Sequence, residues 1–65
     1  MDWRDYIYTN PDIGFGKPIF RGTRIKVEFV LNLLEAGWTQ EEIEESYPGI
    51  AGSHLQAAKL FAASV

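Results

Sequence analysis

Two segments near the start of the chain combine β-branched and aromatic residues with turn signals, which is typical of short strands. Residues 6–9 form the first segment, and the turn residues 10–12 follow it directly. A second extended segment covers residues 18–21, and residues 23–27 then alternate polar with apolar side chains at period two. The pattern predicts short strands or a loose hairpin before the first helix.

The hydrophobic period changes at Val27. From there apolar residues recur at the i, i+3, i+4 and i+7 spacing of a helix face that packs on a core. Gly37 follows the last of these residues, at the place where helices commonly end in a left-handed conformation. The first helix is therefore predicted to end just before Gly37.

Two further helices are predicted after this turn. Thr39 and Glu42 have the spacing of a capping box, so the second helix begins near Gln40 and ends before Pro48, after about two turns. A weaker capping box at residues 53–56 precedes a third helix, with Ser53 as its expected cap. Its apolar residues are Leu55, Ala58, Leu60, Phe61, Ala62 and Val65.

These elements make one domain of residues 1–65, mostly α, with a β arm and loops in 1–26 and a three-helix unit in 27–65. A chain of 65 residues supports only a small core, and the sequence has no cysteine for a disulfide and one histidine, too few ligands for zinc. Self-association remains as a source of stability. We expect a homodimer through the N-terminal arm, around residues 6–9 and 18–25, because unpaired strands seek a partner edge.

Charge is distributed unevenly along the chain. Residues 1–26 hold five basic and three acidic residues, whereas residues 27–65 hold one basic and six acidic residues. The two parts are expected to face different partners.

No window approaches the length of an apolar membrane span, and no leader pattern is present at the N-terminus, so we expect a cytoplasmic protein without membrane contact.

Two helices joined by a short turn also suggest a helix-turn-helix, in which the last helix lies in the major groove. On that helix the exposed candidates include Ser53, Gln56 and Lys59, with a single positive charge among them. Duplex affinity depends largely on phosphate neutralisation, so most DNA contact is expected from the arm instead. The candidate arm residues are Arg21, Thr23, Arg24 and Lys26.

Residues 16–25, with the sequence GKPIFRGTRI, closely resemble a bacterial family, domain of unknown function (DUF) 433. The likeness extends over most of residues 10–62 and continues through Val27, Val30, Leu31, Leu33, Leu34, Gly37, Glu41, Glu42, Ile43, Tyr47, Pro48, Leu55, Ala57 and Ala58. The sequence departs from the family at the start of the third helix, where Ala51, Ser53 and His54 replace a threonine and an acidic pair.

That family is similar to antitoxins of the VapB type, which are typically encoded beside a PIN-like ribonuclease toxin. The resemblance implies a homeodomain-like three-helix unit with an N-terminal β arm. It also implies an antitoxin that binds and neutralises such a toxin, with operator DNA as a second partner. The alternative is a free-standing dimeric helix-turn-helix regulator that binds DNA.

Two sets of side chains are candidates for the toxin contact. The glutamates Glu41, Glu42, Glu44 and Glu45 imitate the charge of an RNA backbone, although such a run is also compatible with an ordinary solvated helix face. The guanidinium groups of Arg21 and Arg24 are suited to carboxylates or phosphates. Arg24 alternatively pairs with glutamates of its own fold, and Thr23 alternatively only braces a turn.

Catalysis is not expected. The only histidine, His54, has no cysteine and no nearby aspartate as a partner, and glutamates fanning out over a helix do not gather around a metal ion. No cofactor and no metal is therefore assigned. Trp3, Trp38, Phe15 and Phe20 are expected to pack in the core or in a dimer contact rather than to stack on a ligand.

Overall fold

The computed structural model of the protein describes residues 2–64 and is a small, mostly helical domain with a two-stranded antiparallel hairpin. Short 3₁₀ turns at Trp3–Asp5 and Gly14–Gly16 accompany the strands β1 (Ile7–Tyr8) and β2 (Ile19–Phe20). Three helices follow: α1 (Val27–Glu35), α2 (Gln40–Ser46) and α3 (Gly52–Ala63). The order of elements agrees with the sequence prediction of a β arm followed by three helices.

The strands are shorter than the predicted segments. Ile7 lies opposite Phe20 and Tyr8 opposite Ile19, while a single bridge joins Ile19 to Lys26. The alternating segment 23–27 does not form a strand of its own. The Thr23 hydroxyl donates to the Phe20 carbonyl at 2.9 Å and accepts from the Ile25 N–H at 3.1 Å, which closes a tight turn where a strand was expected.

The end of α1 and the start of α2 lie where the sequence predicts them. Gly37 has a φ of 98°, the left-handed conformation expected at the end of α1. The Thr39 hydroxyl accepts from the Glu42 N–H at 3.2 Å, and the Glu42 carboxylate accepts from the Thr39 N–H at 2.9 Å, so the capping box is complete. Both signals are local, which is why the sequence alone locates them.

The predicted cap of α3 is wrong. Ala51, not Ser53, is the residue before the first turn, and Nδ1 of His54 accepts a hydrogen bond from the Ala51 N–H at 3.0 Å. Ser53 instead lies within the helix. Val65, which the sequence pattern assigned to this helix, lies outside the described residues.

The core lies between the hairpin and the inner faces of all three helices. Ala57 and Ala58 are fully buried on α3, and their small side chains allow close approach of the neighbouring elements. The buried hydrophobic residues are Ile7, Ile19, Phe20, Val27, Val30, Ile43, Ile50, Leu55, Ala57 and Ala58.

Within residues 2–64, no helix has both the length and the apolar character of a membrane span.

The hairpin is fastened to α3 by aromatic contacts. The His54 ring lies edge-on to Tyr6 and to Phe20, with centroid distances of 5.4 and 5.6 Å. Near the other end of the helix, Trp3 lies edge-on to Phe61 at 4.9 Å. The N-terminal segment therefore runs along α3, which also packs against α1 and α2.

Candidate partner-binding surfaces

The turn at residues 21–24 holds two of the candidate arginines and is braced by Thr23. Thr23 is half-buried, and its hydroxyl is occupied by the two backbone hydrogen bonds of the turn. Its methyl group also approaches the turn between α2 and α3, within 3.5 Å of the position a Cβ would take at Gly49. Thr23 thus has the bracing role that was the alternative to a partner contact.

Arg21 is exposed but held in place by its own chain. Its Nε donates to the Arg4 carbonyl at 3.2 Å, and its guanidinium carbon lies 4.7 Å from the centre of the Tyr8 ring. The remaining N–H groups of the guanidinium make no hydrogen bond or ion pair with residues 2–64 and are available to a partner. Arg21 is therefore a fixed donor, with its position set by the hairpin.

Arg24 differs from Arg21 in having no such support. It is exposed, and it forms no ion pair with any residue between 2 and 64, so the alternative of pairing with glutamates of its own fold is not seen there. Lys26 is half-buried, with its Nζ 5.9 Å from the centre of the Phe15 ring. The hairpin thus brings Arg21, Arg24 and Lys26 into one part of the molecule.

The four glutamates of α2 are not equivalent. Glu42 is engaged in the capping box, and Glu44 is half-buried. Glu41 and Glu45 are exposed, and they lie one turn apart on the same face because they are four residues apart on a helix. Neither forms an ion pair within the described residues. The acidic surface of α2 is therefore formed chiefly by this pair.

The exposed side of α3 holds the remaining candidates. Gln56 and Lys59 are exposed, as is Leu60 at 39%, while Ser53 is half-buried near the start of the helix. This side has a single positive charge and one large apolar side chain. These residues lie on a different helix from the acidic pair of α2, and no ion pair among residues 2–64 joins the two candidate sets.

The predictions for the aromatic residues are confirmed only in part. Phe20 is fully buried and Trp3 is half-buried against Phe61. Trp38 is 36% exposed, and Phe15 is 94% exposed, so Phe15 does not pack in the core and only the expected dimer contact remains open for it. Its two flanking glycines are the one signal in the sequence that indicated a side chain displayed on a loop.

No pocket is formed by residues 2–64, and no group of three or more potential metal-ligating side chains occurs among them. All candidate residues lie at the surface or partly buried beneath it.

Comparisons with known proteins agree on one family. The family described as "Protein of unknown function (DUF433)" matches residues 7–62. A protein of Sinorhizobium fredii (strain NBRC 101917 / NGR234), described as "Uncharacterized protein y4eO", is 32% identical over 59 residues, which cover 91% of this chain and 27% of that protein. The chain thus spans about a quarter of the length of this curated relative.

A solved structure gives the same result. The crystal structure of a DUF433 member protein from Anabaena variabilis ATCC 29413 is similar with a TM-score of 0.86 and 26% identity. The similarity covers 94% of this chain and 60% of that chain. The arrangement of a hairpin and three helices is therefore one that this solved protein shares.

Proposed function

The chain belongs to the DUF433 family, and on that premise we propose that it is the antitoxin of a type II toxin–antitoxin pair, which binds and neutralises a PIN-like ribonuclease. The toxin class comes from the family resemblance of residues 16–25 and the following helices, because the DUF433 family is similar to VapB-type antitoxins. This function requires binding and no catalysis, and it implies a cytoplasmic protein.

The observation that supports the proposal is the exposed carboxylate pair Glu41 and Glu45 on α2. A ribonuclease needs an electropositive channel to hold the phosphates of RNA. Two carboxylates one helical turn apart present negative charge on one face of α2, and such complementary fields raise the rate of association. In this route α2 occupies the channel and excludes the substrate.

A second route to inhibition uses Arg24. Its guanidinium is exposed and forms no ion pair with residues 2–64, and a planar guanidinium binds a carboxylate through two parallel hydrogen bonds. Nucleases that depend on Mg²⁺ hold the ion with carboxylates. An arginine that binds those carboxylates displaces the metal instead of the RNA, with Arg21 as a second donor from the same turn.

Co-expression with the ribonuclease encoded beside this gene tests the proposal. The expected result is rescue of growth and recovery of both proteins in one complex. Glu45→Lys should abolish rescue if α2 fills the channel, whereas Arg24→Ala should abolish it if the arginine binds the metal ligands. Glu35→Lys is the matched control, because Glu35 is an exposed glutamate at the end of α1. Absence of a complex with the wild-type chain would contradict the antitoxin assignment.

The alternative function is that of a free-standing, dimeric helix-turn-helix regulator. It is favoured by the succession of α2, a short turn over residues 47–51, and α3, with Gln56 and Lys59 exposed on α3. A homeodomain-like unit places such a helix in the major groove. Sequence-specific binding to a duplex by the chain alone, without any nuclease complex, would favour this alternative.

A further inference from the structure

Phe15 combines two features that are unfavourable in an isolated chain. Its side chain is 94% exposed, and its backbone has a φ of 57°, between Gly14 at 67° and Gly16 at 79°. Within residues 2–64 it is the only residue other than glycine with a positive φ. A bulky residue in the left-handed region is strained, and strain of this kind tends to occur at binding sites.

The loop that displays Phe15 is packed against the rest of the arm. A bridge joins Asn10 to Ile13, and the Gly14 carbonyl accepts from the Lys17 N–H at 3.1 Å. A Cβ on Gly14 would lie 3.2 Å from Cγ2 of Ile19, so the loop lies directly on β2. The position of Phe15 is therefore set by the fold, and the ring projects from a supported base.

The helical part of the same chain has an exposed apolar surface that can receive such a ring. Phe29 and Leu33 lie one turn apart on α1, and the Trp38 N–H donates to the Leu33 carbonyl at 3.0 Å. Phe29 is 40% exposed and Trp38 is 36% exposed, while Leu33 is half-buried against the core between them in sequence. We call Phe29, Leu33 and Trp38 the α1 apolar surface. The Phe29 ring also packs edge-on against Tyr47, with the centroids 5.4 Å apart.

The charges beside the two surfaces are opposite. Lys26 lies beside Phe15, with its ammonium 5.9 Å from the ring centre, whereas the ammonium of Lys17 is ion-paired with Glu28 at 3.2 Å. The α1 apolar surface adjoins α2 through the contact between Phe29 and Tyr47, and α2 holds the exposed pair Glu41 and Glu45. An apolar anchor with the positive charge of Lys26 beside it thus matches an apolar surface with negative neighbours.

We propose that Phe15 is the anchor of a contact between two copies of this chain, in which the Phe15 loop of each copy packs on the α1 apolar surface of the other. Both halves of the contact are present on one chain, so a two-fold axis produces two equivalent contacts and closes the pair. The strain and exposure of Phe15 are offset when its ring is buried in the partner copy. This places the dimer contact in the loop between the two strands of the arm. The proposed contact between copies does not depend on the antitoxin function, because dimerisation is measured with this chain alone.

Sedimentation equilibrium of the full chain tests the proposal together with thermal unfolding. The wild-type chain is expected to be a dimer whose dissociation constant rises with salt. Phe15→Gly should raise that constant at least tenfold, which is about 1.4 kcal/mol, because the anchor is lost. At protein concentrations where both chains are monomeric, the same change should raise the melting temperature, because glycine relieves the positive φ. A variant that is more stable yet more weakly associated cannot be explained by misfolding.

A matched control and a mixing experiment identify the surface that receives Phe15. Leu60→Ala removes an apolar side chain of α3 that is 39% exposed, close to the 40% of Phe29. This change should leave dimerisation unchanged. Phe29→Ala should weaken it. A mixture of the Phe15→Gly and Phe29→Ala chains should form a heterodimer more tightly than either forms a homodimer, because one contact of the two then keeps both its aromatic residues.

Two results would overturn the proposal. The first is a wild-type chain that stays monomeric, and the second is Phe15→Gly dimerising as tightly as the wild type. If that variant also loses nuclease capture or DNA binding, the anchor belongs to that other partner.

Discussion

Nδ1 of His54 accepts a hydrogen bond from the N–H of Ala51 at 3.0 Å. The third residue of α3 thus binds the backbone of the N-cap residue, whose own side chain offers no acceptor. Alanine is a poor N-cap. The imidazole supplies the half of a capping box that normally belongs to glutamate or glutamine, and its ring also packs edge-on against Tyr6 and Phe20. His54 therefore joins the start of α3 to the hairpin.

Replacement of His54 separates these two contributions. His54→Ala should lower the free energy of unfolding by about 1–2 kcal/mol, because both the cap and the aromatic contacts are lost. His54→Gln should lower it less, since the glutamine side chain retains an acceptor for the Ala51 N–H. Urea unfolding of the three chains measures the difference. Equal losses for the two variants would mean that the hydrogen bond does not contribute to stability.

Gly37 and Gly49 form a natural comparison of two turn glycines. Gly37 has a φ of 98°, whereas Gly49 is not in the left-handed region, and a Cβ on it would lie 3.5 Å from the Thr23 methyl, an ordinary contact. Gly37→Ala should destabilise by about 1 kcal/mol, and Gly49→Ala should stay within about 0.5 kcal/mol of the wild type. Thermal unfolding of both variants checks this. A melting temperature unchanged by Gly37→Ala would contradict the end assigned to α1.

The capping box of α2 should be measurable in the same way. Thr39→Ala should cost about 1 kcal/mol, because the Glu42 N–H loses its acceptor, and Thr39→Ser should restore most of that loss. Denaturant unfolding compares the two. Loss of stability in the serine variant as large as in the alanine variant would show that the hydroxyl is not the contributing group. The Glu42 carboxylate completes this cap, so charge reversals on α2 should avoid Glu42.

The parts of the fold that were predictable from sequence are those encoded by neighbouring residues. The apolar period that begins at Val27, the glycine after α1 and the pair Thr39 and Glu42 each act within about one or two helical turns, and each occurs as predicted. The cap of α3 was not predicted correctly, because Ser53 looks like a better cap than Ala51 until the histidine side chain is seen to take that role.

The candidate site was less predictable, because its geometry depends on contacts between distant residues. The sequence does not reveal that Arg21 is held by the carbonyl of Arg4, seventeen positions away. Nor does it reveal that Phe15 projects from its loop, since aromatic content alone predicts burial. The charges of Glu41 and Glu45 were predictable, but their difference from Glu42 and Glu44 depends on hydrogen bonding and burial in the folded chain.

Thr23 should behave as a folding residue rather than as a contact residue. Thr23→Val keeps the shape of the side chain but removes the donor to the Phe20 carbonyl and the acceptor for the Ile25 N–H, so we expect a loss of about 1–2 kcal/mol. Thr9→Val is the control, because Thr9 is exposed. Urea unfolding measures both. A Thr23→Val chain that keeps its stability but loses a partner would return Thr23 to the contact surface.

The last prediction concerns DNA and distinguishes the arm from α3. If the chain binds an operator, the arm residues Arg21 and Arg24 should supply most of the phosphate contacts, because they are exposed cations on one turn, while α3 offers only Lys59. Replacing both arginines with alanine should weaken binding to specific and scrambled duplexes alike. It should also reduce the slope of log affinity against log salt by about 2, or about 1 for each phosphate contact removed.

Gln56→Ala should leave the salt slope unchanged and alter the preference among sequences, since an amide in the major groove reads base edges. Fluorescence anisotropy over a range of KCl concentrations measures both quantities, with Lys59→Ala as the comparison on α3. An affinity that does not change after the double replacement would exclude the arm as the DNA-binding surface, and a large loss with Lys59→Ala would place that surface on α3 instead.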